Sequence, residues 1–599
     1  MRYSSGARAL FAIFVLLKPP SNAHGLDATP RRVQGRTANE LEPYSLPNKH
    51  TNASRAVAIA NKRAAFQYGP GIDGGVSSPA GPLGQKYVAT ASNITNTESD
   101  AEGIITTSDN IGKYNGLANV RDYTLLYKDE WMASARPTGI DPGMLHNYTS
   151  DLLFSMSRLS FSPFAVRRLA PYETLPFNVD PSAVMSVTGQ SLEEVHQSGK
   201  LFYADHRAQR QLNRTKLYAP ACDAYFYIAN ASSEFLPLAI RSNGNISLVY
   251  TPMDSPDDWL LAKMMFEVND FFFAQNDHLA RSHWVSEVVY QAAIRTLSDS
   301  HPILGLLNRL MYGAFGIRPQ AREILYDPGG TFDSFFGFGG ATSITFARRL
   351  YADGSAGSYL DNYLHTNLRR RGLIDCNYGP ALSSFPFYDD AHAIVEAIRT
   401  FTTSFVNAYY PDDGEVSEDS ELQSWLVETN GPAGGVNFPT ARDIVGRCSL
   451  VDLLVHFAYL VSANHHAINT NSLLSTAGVY PLHLQALYRP PPSVKGITNI
   501  VSYLPPLQQC LGFLNIESAF SRPLLANSNR SLLHMFDDGE FLNRTNNLTR
   551  AANAEFKAVM QLQSDKVKSR GFDENGLSQG MPFVWKTLDP AVAPWSLTI

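Results

Sequence analysis

The chain has 599 residues, of which 44% are hydrophobic, 11% aromatic and 17% charged, enough to bury one very large core or several ordinary ones. Lys+Arg 49 against Asp+Glu 55 leaves a formal charge of -6 and no long basic run, which excludes nucleic-acid binding as the organising function. Four cysteines, Cys222, Cys376, Cys448 and Cys510, are too few to staple such a chain and too scattered for a compact cysteine-based metal signature; one or two disulfides are allowed, and folding must rest on the apolar core.

The N-terminus reads as an address. Arg2 and Arg8 precede a short apolar run from Ala9 to Leu17, then Pro19, Pro20 and the small-residue pattern Ser21-Asn22-Ala23, so residues 1–23 are expected to be a cleaved signal peptide and not a membrane span. Secretion to an extracellular location follows. Nine Asn-x-Ser/Thr sequons agree with export, at Asn52, Asn93, Asn147, Asn213, Asn230, Asn245, Asn529, Asn543 and Asn547, although chance alone supplies roughly half of such a set.

Residues 24–115 are rich in Pro, Gly, Ser, Thr and Asn and are expected to form an irregular wrap in which only Asn52 to Phe66 is helical. Helical periodicity dominates from 116 to 599. Asp257, Asp258 and Trp259 open a segment that runs through Met264, Phe266 and Val268 to His278 and resumes through Val289, Ala293 and Leu297. A Gly/Phe-rich stretch from Gly329 through Gly340 and past Ser358 breaks the pattern; residues 389–408 and 420–428 restore it, and Asp443 through Asn469 is again long and apolar. Strand–helix alternation is missing, so the expected class is mainly α, one large helical domain with minor, early β structure.

Two histidine sets stand inside these apolar segments. His465 and Asn469 are four apart, one turn along the same helical face, where they can approach a common ion, while His466 points roughly 100° away. Two histidines in sequence near a helix end more often make capping or core hydrogen bonds, so the pair alone is weak evidence. His278 and His283 are five apart, which on an ideal helix rotates one about 140° from the other; a π-bulge between them would correct that rotation. Flanked by Phe271-Phe272-Phe273 and Trp284-Val285, both imidazoles should be buried and need partners, and a metal is one way to supply them.

These residues resemble the lipoxygenases. The resemblance rests on His278-Leu279-Ala280-Arg281-Ser282-His283-Trp284, on Arg295-x-Leu297-Ser298-x-x-His301-Pro302-Ile303, on His465-x-x-x-Asn469 and on the terminal Ile599, and within the family it points to the secreted fungal manganese enzymes, similar over Asp257 to Phe266 and Leu310 to Phe315. It implies a helical catalytic domain without the N-terminal β-barrel domain of plant and animal relatives. It implies five protein ligands, His278, His283, His465, Asn469 and the Ile599 carboxylate, around one manganese ion cycling between the II and III states. Iron remains the alternative, because an N/O donor set of this kind suits both and kinship alone favours manganese.

The implied reaction is insertion of O2 into polyunsaturated fatty acids such as linoleic and α-linolenic acid, a metal-bound hydroxide serving as base toward the bis-allylic hydrogen and a fatty-acid hydroperoxide resulting. In the same resemblance Gly316 occupies the position that controls where and on which face oxygen adds; close helix packing is its plain alternative. Phe332, Phe335, Phe336 and Phe338 are candidates for the substrate channel, and Arg522 for the fatty-acid carboxylate. No nucleic acid, no stable membrane insertion and a monomer are expected. Two other readings stand beside this one. Gly576-Leu577-Ser578-Gln579-Gly580 matches the Gly-x-Ser-x-Gly pattern of a lipase or esterase, although no histidine follows Ser578, and the apolar segments also suit a non-catalytic lipid-binding protein.

Overall fold

A computed structural model describes residues 42–47, 53–71, 76–102, 106–107, 116–127, 131–132, 142–244, 246–468, 479–517 and 528–597. The expected signal segment lies outside the described residues, as do Asn52, Asn245, Asn469, Arg522 and Ile599.

Helices α1 (Ala53–Ala65) and α2 (Gly81–Glu102) come first. The second corrects the expectation of an irregular wrap with a single helix. Its Gly, Thr and Asn content hides it from propensity, but Leu83, Tyr87, Val88, Ala91 and Thr95 fall on one helical stripe that packs on the body of the protein, and tertiary burial overrides the local preference. Tyr87 meets Phe66 and Tyr290 edge-on at 5.7 and 6.3 Å.

A five-stranded antiparallel meander follows: β1 (Arg167–Arg168), β2 (Leu201–Asp205), β3 (Cys222–Ile228), β4 (Phe235–Asn243) and β5 (Ser247–Tyr250). Phe202 pairs with Phe226 and Tyr203 with Tyr225. The period of two sends Phe202, Ala224 and Phe226 into the main core, while Leu201, Tyr203 and Tyr225 join a smaller core on the other face. Two further antiparallel pairs have two strands each. Among the described residues no sheet closes into a barrel, and no helix is long and apolar enough to cross a membrane.

The sheet backs onto α3 (Pro256–His278), where Phe226 lies 6.1 Å from Phe266. Ser255 caps this helix by accepting from the Asp258 amide, with Pro256 in the first turn. After a π turn over Leu279–Trp284 the chain continues as α4 (Val285–Thr296), so one buried rod runs from 256 to 296. Next come α5 (Pro302–Leu310), capped by the His301 ring, α6 (Ile317–Ala321), α7 (Thr331–Phe335) and α8 (Gly340–Ala352). The last two correct the expected break past Gly329. Gly340 is no helix breaker; it is the residue that fits, since a Cβ there would stand 2.1 Å from the Tyr326 carbonyl oxygen.

The remaining helices that matter for the site are α9 (Leu364–Arg370), α10 (Pro386–Tyr409), α11 (Ser420–Asn430), α12 (Arg447–Tyr459), α13 (His465–Ile468), α14 (Leu507–Glu517) and α15 (Asn547–Lys568). A second π turn, Leu460–Asn464, joins α12 to α13. The architecture is mainly helical around one continuous apolar core, as the periodicity indicates. All four cysteines are unpaired, so neither allowed disulfide forms. Of the sequon asparagines, Asn93, Asn213, Asn230, Asn529, Asn543 and Asn547 are exposed, whereas Asn147 is half-buried and donates to the Pro582 carbonyl at 2.6 Å.

Candidate metal centre

Two buried rods, α3–α4 and α12–α13, meet where each carries its π turn. The turn over 279–284 inserts the extra residue that the five-residue spacing of His278 and His283 requires, and their ring centroids come within 5.0 Å. His465 begins α13 directly after the second π turn, its ring 4.9 Å from His278 and 4.7 Å from His283. One nitrogen from each of the three imidazoles lies within 4.8 Å of the others, and the Nε2 atoms of His283 and His465 are 2.9 Å apart. The rods are pinned at the same level, where Asn464 Nδ2 donates to Ser282 Oγ at 2.8 Å.

Surrounding contacts set the donor atoms. The Nδ1–H of His278 donates to the Gln275 carbonyl at 3.3 Å, which leaves Nε2 as the bare nitrogen, and that buried atom has no hydrogen-bond partner among the described residues. Burial pushes the His278 pKa down to about 4, and it holds His283 well below the usual imidazole range, helped by the charges of His278, Arg318 and His466. His278 and His283 are therefore neutral near pH 7, the form that binds a metal. Behind His465, its Nδ1 is 3.3 Å from His466 Nε2, which in turn stands 3.1 Å from the Ser596 carbonyl oxygen. The C-terminal segment is thus docked against the centre up to the last described residues.

The centre opens onto a cavity of about 1000 Å³ including its mouth, walled by Leu279, Trp284, Phe332, Phe336, Phe513 and other apolar groups, with His278 and His283 in its lining. Phe332 and Phe336 line it as expected; Phe335 and Phe338 do not, and pack instead on Phe513 and Phe272. Two arginines also reach it. Arg318 is partly buried in contact with Glu287 and bonds Ser78 Oγ at 2.8 Å, while Arg322 is exposed and has Asp327 at 3.2 Å. Burial pushes the Glu287 carboxyl up against the opposing pull of Arg318.

Gly316 is absent from the cavity wall. A Cβ there would meet the Ala91 carbonyl and Thr95 Oγ1 of α2, each at 2.6 Å, so the glycine permits a close helix approach immediately before Ile317 and Arg318, which do line the cavity. Sequence reasoning missed the Glu287–Arg318 pair, the Asn464–Ser282 bond and the second π turn. Glu287 was findable: it falls four residues after His283, an acid on the same face of a buried helix.

The lipase reading does not survive the geometry. Ser578 is buried and exchanges both backbone hydrogen bonds with Met581, at 2.8 and 2.9 Å, with Gln579 and Gly580 at φ 49° and 71° between them. That is a tight hairpin turn, and a nucleophile elbow needs a strand before the serine and a helix after it.

Comparison with known proteins agrees with this constellation. A lipoxygenase family model matches residues 185–494. The manganese lipoxygenase of Colletotrichum gloeosporioides is 42% identical over 568 residues, 93% of each chain, and that of Gaeumannomyces avenae 41% identical over 578 residues, again 93% of each. The chain belongs to the lipoxygenase family. A solved manganese lipoxygenase of Gaeumannomyces graminis superimposes with a TM-score of 0.86 at 39% identity, covering 93% of this chain and 100% of that one. This lipoxygenase is accordingly a dioxygenase of fatty acids built around a metal-binding catalytic centre, on the helical lipoxygenase fold without a barrel domain.

Proposed function

We propose that this lipoxygenase uses one manganese ion per chain to convert polyunsaturated fatty acids, linoleic and α-linolenic acid among them, to hydroperoxides. The observation that carries the reading is three imidazoles, His283 and His465 buried and His278 partly so, converging at the lining of an apolar cavity, with a bare Nε2 on His278. The donor set fits the ion: three nitrogens with no thiolate suit redox-active manganese or iron, and the manganese enzymes among the similar proteins favour manganese. Asn469 and the Ile599 carboxylate complete the ligand set in this reading. Ser596, three residues from the chain end, bonds behind His465, and the remaining residues are long enough to return the carboxylate to the centre.

When bound, manganese supplies the one-electron couple through which a hydrogen atom leaves the bis-allylic methylene and the oxygenated radical is reduced. The chain's own part is placement. Phe332, Phe336, Leu279 and Trp284 hold the acyl chain against the inner end and exclude water, so the pentadienyl radical meets oxygen and little else. Arg318 is held in a largely buried pair with Glu287; Arg322, at the exposed rim in a solvent-exposed pair with Asp327, is the cation more readily shared with the fatty-acid carboxylate, alongside Arg522. The protein is exported through residues 1–23 and carries glycans on some of its exposed sequons.

Incubation of the purified protein with linoleic acid under air tests the reaction. Oxygen uptake with growth of conjugated-diene absorbance is expected. Manganese-loaded protein that consumes no oxygen would sink the proposal.

A further inference from the structure

On a different part of the molecule, His365 on α9 and His392 and Glu396 on α10 bring two ring nitrogens and a carboxylate oxygen within 4.8 Å of one another. We propose that these three residues form a second metal site, for a divalent late transition ion of the zinc class, that staples α9 onto α10. The proposal is independent of the catalytic assignment.

The geometry suits an ion of that class. His365 Nε2 and His392 Nδ1 are 3.1 Å apart, with ring planes at 82°. Two metal–nitrogen bonds of about 2.05 Å span that distance at an angle of about 100°, close to the tetrahedral value. Glu396 follows His392 by one helical turn, its Oε1 4.0 Å from the same Nδ1, so a shift of under about 1 Å brings it to bonding position. Among the described residues no other group holds that carboxylate firmly: Arg399 is 3.8 Å from it and directs its Nη1 to Asp452 at 2.5 Å.

The rings are already positioned. Tyr388 stacks on His392 at 5.3 Å and meets His365 edge-on at 5.9 Å. The nearest opposing cation on α9, Arg369, is paired with Asp375 at 2.7 Å. With side chains of His392 and Glu396 43% and 47% exposed, a fourth position is open to water and the ion need not be fully desolvated. Two imidazoles and one carboxylate favour zinc, nickel or copper over calcium or magnesium, which take oxygen ligands.

The test uses the full-length, manganese-loaded protein in equilibrium dialysis against Zn2+, with zinc and manganese counted in the same sample. About one zinc per chain is expected with manganese unchanged, together with a rise of a few degrees in Tm. His365→Asn and Glu396→Gln, on different helices, should each weaken zinc binding at least about tenfold and abolish the Tm rise, while melting with the parent protein when zinc is absent. Zinc uptake that only replaces manganese overturns the proposal, as does equal zinc binding by both variants.

Discussion

His278 shows how one hydrogen bond assigns a function to one atom. With Nδ1 committed to the Gln275 carbonyl, Nε2 faces the centre bare, and burial keeps the ring neutral. Replacing His283 or His465 by alanine should remove manganese and lower oxygen uptake by more than about 100-fold, measured by elemental analysis and an oxygen electrode on the same preparation. At the chain end, the proposed ligand is the backbone carboxylate and not the side chain, so Ile599→Val should keep both properties, whereas one added residue should abolish them. Gly316→Ala should cost about 1–3 kcal/mol in a denaturant melt, since its new methyl meets the Ala91 carbonyl. It should also change the hydroperoxide distribution, because Ile317 and Arg318 must move with it; an unchanged distribution would leave Gly316 a packing residue alone. Spacing alone left the histidines ambiguous, and it was the family resemblance that singled out His278, His283 and His465, the three rings that the fold brings together. Phe338 was not separable from Phe336, because both are buried and only the backbone direction decides which one faces the cavity.

At the scale of elements, a five-residue histidine spacing either carries no signal or calls for an inserted residue, and the π turn over 279–284 supplies that residue. The second, over 460–464, left no such mark: His465 follows it, and a four-residue spacing to Asn469 looks like ordinary helix. Tying the two turns is the Asn464–Ser282 bond. Ser282→Ala leaves the buried Asn464 amide without this partner and should cost about 1–3 kcal/mol, and it should weaken manganese retention against a chelator by about 10- to 100-fold. Normal retention would mean that the rods hold register without it. Helix α2 was invisible for a physical reason, its residues being poor helix formers individually, and only the stripe from Leu83 to Thr95 against the core makes it a helix.

For the whole molecule, the same burial that prepares the ligands makes the metal-free protein acid-labile. Below the ordinary imidazole range an unfolded chain binds protons that buried His278, His283, His456 and His483 refuse, so stability is full above about pH 6.5 and falls as pH drops toward 4. His278 alone, with its pKa at about 4, accounts for about 3 kcal/mol over that window. Urea melts of apoprotein at pH 7 and pH 4.5 check the sign; equal midpoints would contradict it. The mainly helical class was legible in the chain because it rests on periodicity over long segments, whereas the five-stranded sheet at 167–250 lies inside the stretch read as helical and was not. The most direct test of the central claim is the metal content of purified, unsubstituted protein. One manganese per chain is the predicted result, and stoichiometric iron, or no metal at all, would contradict it.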